Sequence, residues 1–197
     1  MDLLDANDAP LAHPASWYAA TARIPEPRPA LDGDTRCHVC IVGAGYTGLS
    51  AALTLAEAGA DVVVLDAQRV GFGASGRNGG QVGSGQRVDQ ITLEARLGRD
   101  RARALWDIAE AAKSRVRAIV EAHAPEARWT PGVAEVERSL EATAHLHRLA
   151  EHLAERYAYD RIELLDRHAT AALTGSARFA GGALDHGAGH LHPLRLA

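Results

Sequence analysis

The chain has 197 residues, 47% of them hydrophobic, 23% charged and 5% aromatic, with 21 basic residues against 25 acidic ones and a formal charge of −4. That length is enough for one domain or a little more and for a core that needs no disulfide or metal, and the composition excludes a disordered chain. The weak acidic balance excludes the basic footprint of a nucleic-acid or anionic-membrane binder, so the expected partner is a small molecule.

Residues 1–10 hold Asp2, Asp5 and Asp8 but neither the basic start nor the apolar core of a secretory leader, so export is not expected. No run approaches the roughly 20 apolar residues of a membrane span, and a soluble, cytoplasmic protein is the expectation. Trp17 and Tyr18 sit in a short predicted helix, and Pro25, Pro27 and Pro29 favour an extended connector, which makes 1–35 an N-terminal extension. Cys37 to Val42 has the length and apolarity of a strand. Positions three apart on a strand face opposite sides, so Cys37 and Cys40 are predicted to be structural rather than a dithiol or zinc pair. Thr47 to Ala58 reads as a helix stopped by Gly59, and Asp61 to Asp66 as a second buried, parallel strand.

Gly71 to Gly85 holds seven of the 19 glycines and is predicted to be a loop that exposes its backbone. Leu105, Ile108, Ala109, Ala112, Val116, Ile119 and Val120 then recur at helical spacing, as the buried stripe of one long helix closed by Ala124-Pro125. Trp129 to Val136, broken by Pro131-Gly132, suggests strand, turn, strand. Leu146, Leu149, Ala150, Leu153 and Tyr157 mark another helix, Ile162 to Leu165 a strand, and Ala169 to Leu173 a short helix. Phe179 to Leu191 is predicted to be extended, with a helix beginning at His192-Pro193. A helix begun five residues before the end buries little, so the chain is expected to be the front part of a longer design.

The chemistry concentrates at Gly43-Ala44-Gly45-Tyr46-Thr47-Gly48, a G-x-G-x-x-G placed between strand and helix. Gly43 permits the tight turn, Gly45 the approach of a pyrophosphate to the backbone, and Gly48 the close packing of helix on strand. Phosphates would sit at the helix N-terminus, where free N–H groups and the helix dipole favour anions. Asp66, 18 residues beyond Gly48 and followed by Ala67, ends the second strand where an acceptor can hold ribose hydroxyls. FAD and NAD share this grip. The following segment, Gly73-Ala74-Ser75-Gly76-Arg77-Asn78-Gly79-Gly80-Gln81, offers amides, a hydroxyl and a fixed positive charge, which suits a further pyrophosphate contact and a flavin; the alternative is a solvated linker.

The run from Cys40 to Gly48, the strand ending in Asp66, the G-x-G-A-S-G-R-N-G-G loop and Gly182 to Leu194 together resemble the D-amino-acid-oxidase superfamily of FAD-dependent amine oxidoreductases. Within it the likeness is to members that oxidise gamma-glutamylputrescine. Ser16 to Ala20 and Pro131-Gly132 share it, so it covers nearly the whole chain. The resemblance implies an α/β fold: a Rossmann-like FAD-binding part over 36–125 and, over 126–197, the start of an α+β substrate domain with a return toward the FAD domain. It implies that Gly43, Gly45 and Gly48 are the pyrophosphate glycines, that Asp66 is the ribose acid, and that Ser75, Arg77, Asn78, Gly79 and Gly80 run beside FAD. Family members are about twice this long, which suits two domains, so the chain is expected to be truncated.

The implied reaction is oxidation of an amine C–N bond, with an amine substrate, FAD as cofactor and molecular oxygen as acceptor. No catalytic residue can be assigned from spacing. The alternatives are another amine or amino-acid oxidase of the superfamily, of sarcosine or D-amino-acid type, and a non-catalytic remnant that associates through exposed strand edges. His186, His190 and His192 lack a fourth ligand, so no metal is expected; a place near the flavin or in holding the last helix suits them better. His145, His147 and His152 are predicted to be solvated on a charged helix face.

Overall fold

The computed structural model describes residues 9–197. Its elements begin α1 (Trp17–Thr21), β1 (Val39–Val42), α2 (Tyr46–Glu57), β2 (Val62–Leu65), β3 (Gln81–Val82), α3 (Gln90–Leu97) and α4 (Arg99–His123). They continue with β4 (Thr130–Glu137), α5 (Leu140–Tyr157), β5 (Ile162–Leu165), α6 (Arg167–Thr174), β6 (Gly181–His190) and α7 (Pro193–Leu196), with short 3-10 turns at Ala74–Gly76 and Pro125–Ala127. No helix among the described residues is long and apolar enough to cross a membrane. The chain packs as two compact units, one formed by the described residues up to Gly80 with His192–Ala197, the other by Gln81–Leu191. This division by packing falls at other points than the functional boundary expected at 125/126, and by itself assigns no function to either unit.

The first unit is a strand, helix, strand crossover. Branched residues build β1 and β2, which pair in parallel from Val39 opposite Val62 to Val42 opposite Leu65. The ladder ends where the Gly43 amide donates to the Leu65 carbonyl at 2.7 Å. Alanine and leucine carry α2 until Gly59, at φ +84°, turns the chain out of it. The expected burial of these strands is corrected: β2 is only half-buried throughout and Val42 is 85% exposed. Two strands and one helix cannot cover both faces of a parallel ladder.

A second centre of the same unit forms around His192, which is buried and caps α7 by accepting the Arg195 amide on Nδ1 at 3.2 Å. Its Nε2 lies 3.0 Å from Thr21 Oγ1, and the Trp17 and Tyr18 rings pack on it at 5.4 and 5.1 Å between centroids. Of the roles expected for this histidine, holding the last helix is the one the hydrogen bonds express.

In the second unit β6 is the axis of a four-stranded antiparallel sheet. β4 runs along one edge of it from Thr130 opposite His190 to Glu137 opposite Gly181, while β3 and β5 pair with the other. The strand, turn, strand expected around Pro131-Gly132 is instead one strand with an irregularity between Pro131 and Val133; Gly132, at φ +96°, absorbs it without turning the chain back. The glycines of β6 permit close packing. A Cβ on Gly181 would stand 2.5 Å from Thr143 Cγ2, and one on Gly189 2.4 Å from the Trp129 ring.

Helix α5 lies over this sheet with Leu146, Ala150, Leu153 and Tyr157 buried, as its spacing predicts. The core joins Trp106, Leu153, Tyr157 and Tyr159, with the Trp106 ring 5.3 Å from Tyr157 and 5.2 Å from Tyr159. Such ring pairs contribute about 0.5–1.5 kcal/mol beyond area burial. Asp89, Ser139 and Asp166 cap α3, α5 and α6 by accepting the amide three residues on, at 2.9, 3.1 and 2.8 Å; each is worth about 1 kcal/mol.

Two further expectations are corrected, and one helix escapes the sequence reading. The buried face of α4 is Ala102, Trp106, Lys113 and Val120, while Ile108 from the predicted stripe is 62% exposed. Helix α3, separated from α4 by Gly98 at φ +81°, shows no apolar stripe at helical spacing, because Ile91, Leu93, Ala95 and Leu97 alternate with polar residues. The Gly71 to Gly85 stretch is not entirely irregular, since it holds the Ala74–Gly76 turn and β3.

Candidate functional site

The G-x-G-x-x-G has the local geometry its spacing calls for. Gly43 sits at φ +105°, a conformation costly to any residue with a Cβ. A Cβ on Gly48 would stand 1.9 Å from the Gly43 carbonyl oxygen and 3.2 Å from Ile41 Cγ2, so the first turn of α2 rests directly on β1 only because residue 48 is glycine. Gly45 is the N-cap of α2 and supplies no side chain, and the first intrahelical bond is Leu49 N to Gly45 O at 2.9 Å. The amides of Gly45, Thr47 and Gly48 therefore precede the intrahelical ladder and have no side-chain cap, the arrangement that accepts an anion.

Asp66 and Ser75 close the cradle from either side. Asp66 Oδ2 accepts from the Ala44 amide at 2.6 Å and Oδ1 from the Gln68 amide at 2.8 Å, which fixes the exposed carboxylate at the end of β2 beside Ala67. A carboxylate has about four acceptor sites, so two remain for hydroxyl donors. Ser75 Oγ accepts from the Tyr46 amide at 2.9 Å, and a Cβ at Gly45 would come within 3.0 Å of it. Burial pushes the Tyr46 phenol up against the opposing effect of a hydrogen bond with Asn78, and its OH donates to Pro193 O at 2.9 Å.

The loop that follows is held by its own side chains. Arg77 Nε donates to the Phe72 carbonyl at 2.7 Å while its guanidinium lies 4.7 Å over the Phe72 ring. Asn78 Nδ2 donates to the carbonyls of Ala74 and Ser75 at 3.0 and 2.9 Å, and its Oδ1 accepts from the Gly80 amide at 2.9 Å. Gly73, Ala74 and Gly79 are exposed, and Gly80 is buried. A Cβ on Gly76 would meet Gly71 O at 2.3 Å and Leu194 Cδ1 at 2.9 Å, so the loop folds back on itself against α7. Arg77 and Asn78 thus tie the loop to its own backbone carbonyls. Gly43, Ala44, Gly45, Tyr46, Asp66 and Ser75 converge on one cradle, with Thr47 and Gly48 in the first turn of its helix.

These residues fit the adenosine-diphosphate half of a dinucleotide: amides before the helix ladder, a cradle that a Cβ would fill, and a carboxylate with acceptor capacity left. The histidines do not form a metal set. His186 Nε2 pairs with Glu163 at 2.9 Å, and no group of three His, Cys, Asp or Glu suited to a metal occurs among the described residues. The expected solvation of the α5 histidines is corrected for two of them. His147 Nε2 lies 2.9 Å from Gly182 O and His152 Nε2 2.9 Å from Glu94 Oε1, both partly buried.

A buried polar cluster in the second unit escapes sequence reasoning. Lys113 Nζ donates to Ser84 Oγ at 2.7 Å and to Tyr159 OH at 3.2 Å, and pairs with Glu110 Oε2 at 2.8 Å. Ser84 and Tyr159 each donate to Asp185, both at 2.6 Å, and the Gly187 and Ala188 amides donate to the same carboxylate at 2.9 and 3.1 Å. Burial, reinforced by Asp185, pushes the Tyr159 phenol far up, so it is a donor and not a base. The available signal is the seven-residue series Trp106, Lys113, Val120, which puts a lysine on the inner face of α4.

A family model described as "FAD dependent oxidoreductase" matches residues 38–197. The chain is 43% identical over 185 residues to gamma-glutamylputrescine oxidoreductase of Escherichia coli, covering 94% of this chain and 43% of that protein. It is also 43% identical over 192 residues to "Probable oxidoreductase OrdL" of Rhizobium meliloti, covering 95% and 44%. It thus spans less than half the length of the curated relatives it matches. Among solved structures, L-amino acid deaminase from Proteus myxofaciens superposes with a TM-score of 0.66 at 20% identity, over 89% of this chain and 37% of that one. Glycine oxidase from Geobacillus kaustophilus superposes at 0.61 and 19%, over 81% and 42%. These two likenesses are of fold.

Proposed function

This chain belongs to the FAD-dependent oxidoreductase family, and we propose from that premise that it is the FAD-gripping part of an amine oxidoreductase whose substrate resembles gamma-glutamylputrescine. The observation that carries the substrate class is the 43% identity to gamma-glutamylputrescine oxidoreductase over 94% of the chain. The geometry supports the cofactor role independently of that relative.

In this reading the amides at the start of α2 hold the pyrophosphate, and Asp66 accepts from the ribose hydroxyls of the adenosine. Ser75 holds the Tyr46 amide and so fixes the entry of α2. Arg77 and Asn78 keep the Ala74 to Gly80 loop in one conformation, so that its backbone meets the cofactor preformed. Ala67 and Gly73 flank these contacts. When bound, FAD supplies the two-electron acceptor for oxidation of the amine C–N bond, with molecular oxygen as the final acceptor. We assign no proton-transfer group. The 36–125 segment is read as FAD-binding and 126–197 as the start of the substrate domain.

The test is to load the chain with FAD and mix it anaerobically with gamma-glutamylputrescine, sarcosine or D-alanine. Bleaching of the flavin near 450 nm, on the order of a visible-band loss for one electron pair, is expected first with gamma-glutamylputrescine. Bleaching by sarcosine or D-alanine alone would reassign the substrate. Bound FAD that no amine reduces would leave a cofactor-binding fragment.

A further inference from the structure

The second unit holds a cavity of about 250 Å³ between α4 and the sheet, with Glu110 and Lys113 on one wall and Trp129, Arg161 and Gly187 on the other. Two of its polar groups are unanswered. Glu110 gives Oε2 to Lys113, but its Oε1 is buried with no hydrogen-bond partner among the described residues. Arg161, exposed at the rim, has no acceptor for its guanidinium among the described residues. The other cations are already engaged: Lys113 directs its three donors to Ser84, Tyr159 and Glu110, and Arg117 pairs with Glu121 at 2.9 Å. Gly187 lets Tyr159 and Arg161 lie directly against β6 at the cavity, since a Cβ there would stand 2.1 Å from Tyr159 OH and 2.8 Å from Arg161 Cδ.

One cavity therefore offers an acceptor without a donor and a donor without an acceptor. We propose that it binds a small zwitterion, a free amino acid, with the ammonium on Glu110, the carboxylate on Arg161 and the carbon chain against the half-buried Trp129 ring. A cation alone would satisfy Glu110 and leave Arg161 bare; an anion alone would do the reverse. At roughly 30 Å³ per displaced water the space suits a ligand of about eight to ten heavy atoms. The charge-assisted bonds at the two ends are the strong kind, and each end selects against the analogue that lacks its charge.

The experiment is calorimetric titration of the 197-residue chain, without added cofactor, so that the outcome does not depend on the oxidase reading. The probes are 5-aminopentanoate and L-norvaline, with 1-aminopentane and pentanoate as single-charge isosteres. At least one zwitterion is expected to bind about tenfold more tightly than either isostere, and which one binds better tells an ω-amino from an α-amino ligand. Arg161→Gln is expected to weaken binding by about tenfold and the exposed control Arg178→Gln to leave it unchanged. Glu110→Gln should act like Arg161→Gln if it folds by circular dichroism; if it does not, the exposed Arg161 variant decides. No saturable binding up to about 10 mM, a range that covers weak ligands, would overturn the proposal. Isosteres binding as well as the zwitterions, or Arg161→Gln without effect, would overturn it too.

Discussion

The first unit makes its cradle from backbone and leaves its strands half-open, with Val42 85% exposed and no residue of α2 fully buried. The second unit carries almost no motif, yet it holds the aromatic core around Trp106 and a sheet whose axis is thinned by glycine. The lesson lies in where side chains matter. In the proposed reading, ligand recognition in the first unit rests on the absence of Cβ atoms at chosen positions, and stability in the second rests on their presence at others. Substitutions in the two units are therefore expected to separate binding from stability.

Trp106→Ala should have the largest effect on stability, about 3–5 kcal/mol for a large aromatic removed from a packed core, seen as a lower urea midpoint. Its FAD affinity under folded conditions is expected to change by less than about twofold, a fraction of a kcal/mol. Gly48→Ala should do the opposite. Its Cβ meets the Gly43 carbonyl at 1.9 Å, and FAD affinity is expected to fall by about a hundredfold while overpacking costs about 1–3 kcal/mol. If Gly48→Ala unfolded the chain more readily than Trp106→Ala, the contrast between the units would fail.

Much of the cradle was legible because its constraints are local. Gly43, Gly45 and Gly48 have separate steric tasks within one turn, and Asp66 follows at the end of the next strand, so spacing alone places them. The roles of Arg77 and Asn78 were less legible, because a charge in a glycine-rich run reads as a ligand contact when its first partners are the carbonyls of Phe72, Ala74 and Ser75. Periodicity placed α5 well. It misjudged α4, because a helix of 25 residues with apolar side chains on more than one face does not declare which face is inward, and a buried lysine masks the true one. The bulged β4 was misread because Pro131-Gly132 is also a turn signal, and only pairing with β6 distinguishes the two.

Two smaller effects refine the contrast. Ser75→Ala removes the acceptor of the Tyr46 amide and should weaken FAD by about three- to tenfold, the range of one hydrogen bond, with little change in the urea midpoint. The α3–α5 contact should show in the acid limb of stability. Burial alone would raise the Glu94 carboxyl, but hydrogen bonds from Tyr157 and His152 and the charges of His152 and Arg99 outweigh it and hold it below its ordinary value of 4.5. A depressed carboxyl stabilises the fold fully above that value and loses the contribution as pH falls through its lower native one. Glu94→Gln is expected to flatten stability against pH below 4.5, measured by denaturation at a series of pH values; an unchanged acid limb would remove Glu94 from the account.

The most direct test is equilibrium titration of the purified chain with FAD, alongside NAD, which shares the adenosine-diphosphate half, and FMN, which lacks it. The account predicts saturable, one-to-one quenching of flavin fluorescence by FAD, much weaker binding of FMN and NAD, and loss of FAD binding in Gly48→Ala. A folded chain that fails to bind FAD, or that binds NAD as well as FAD, would contradict it.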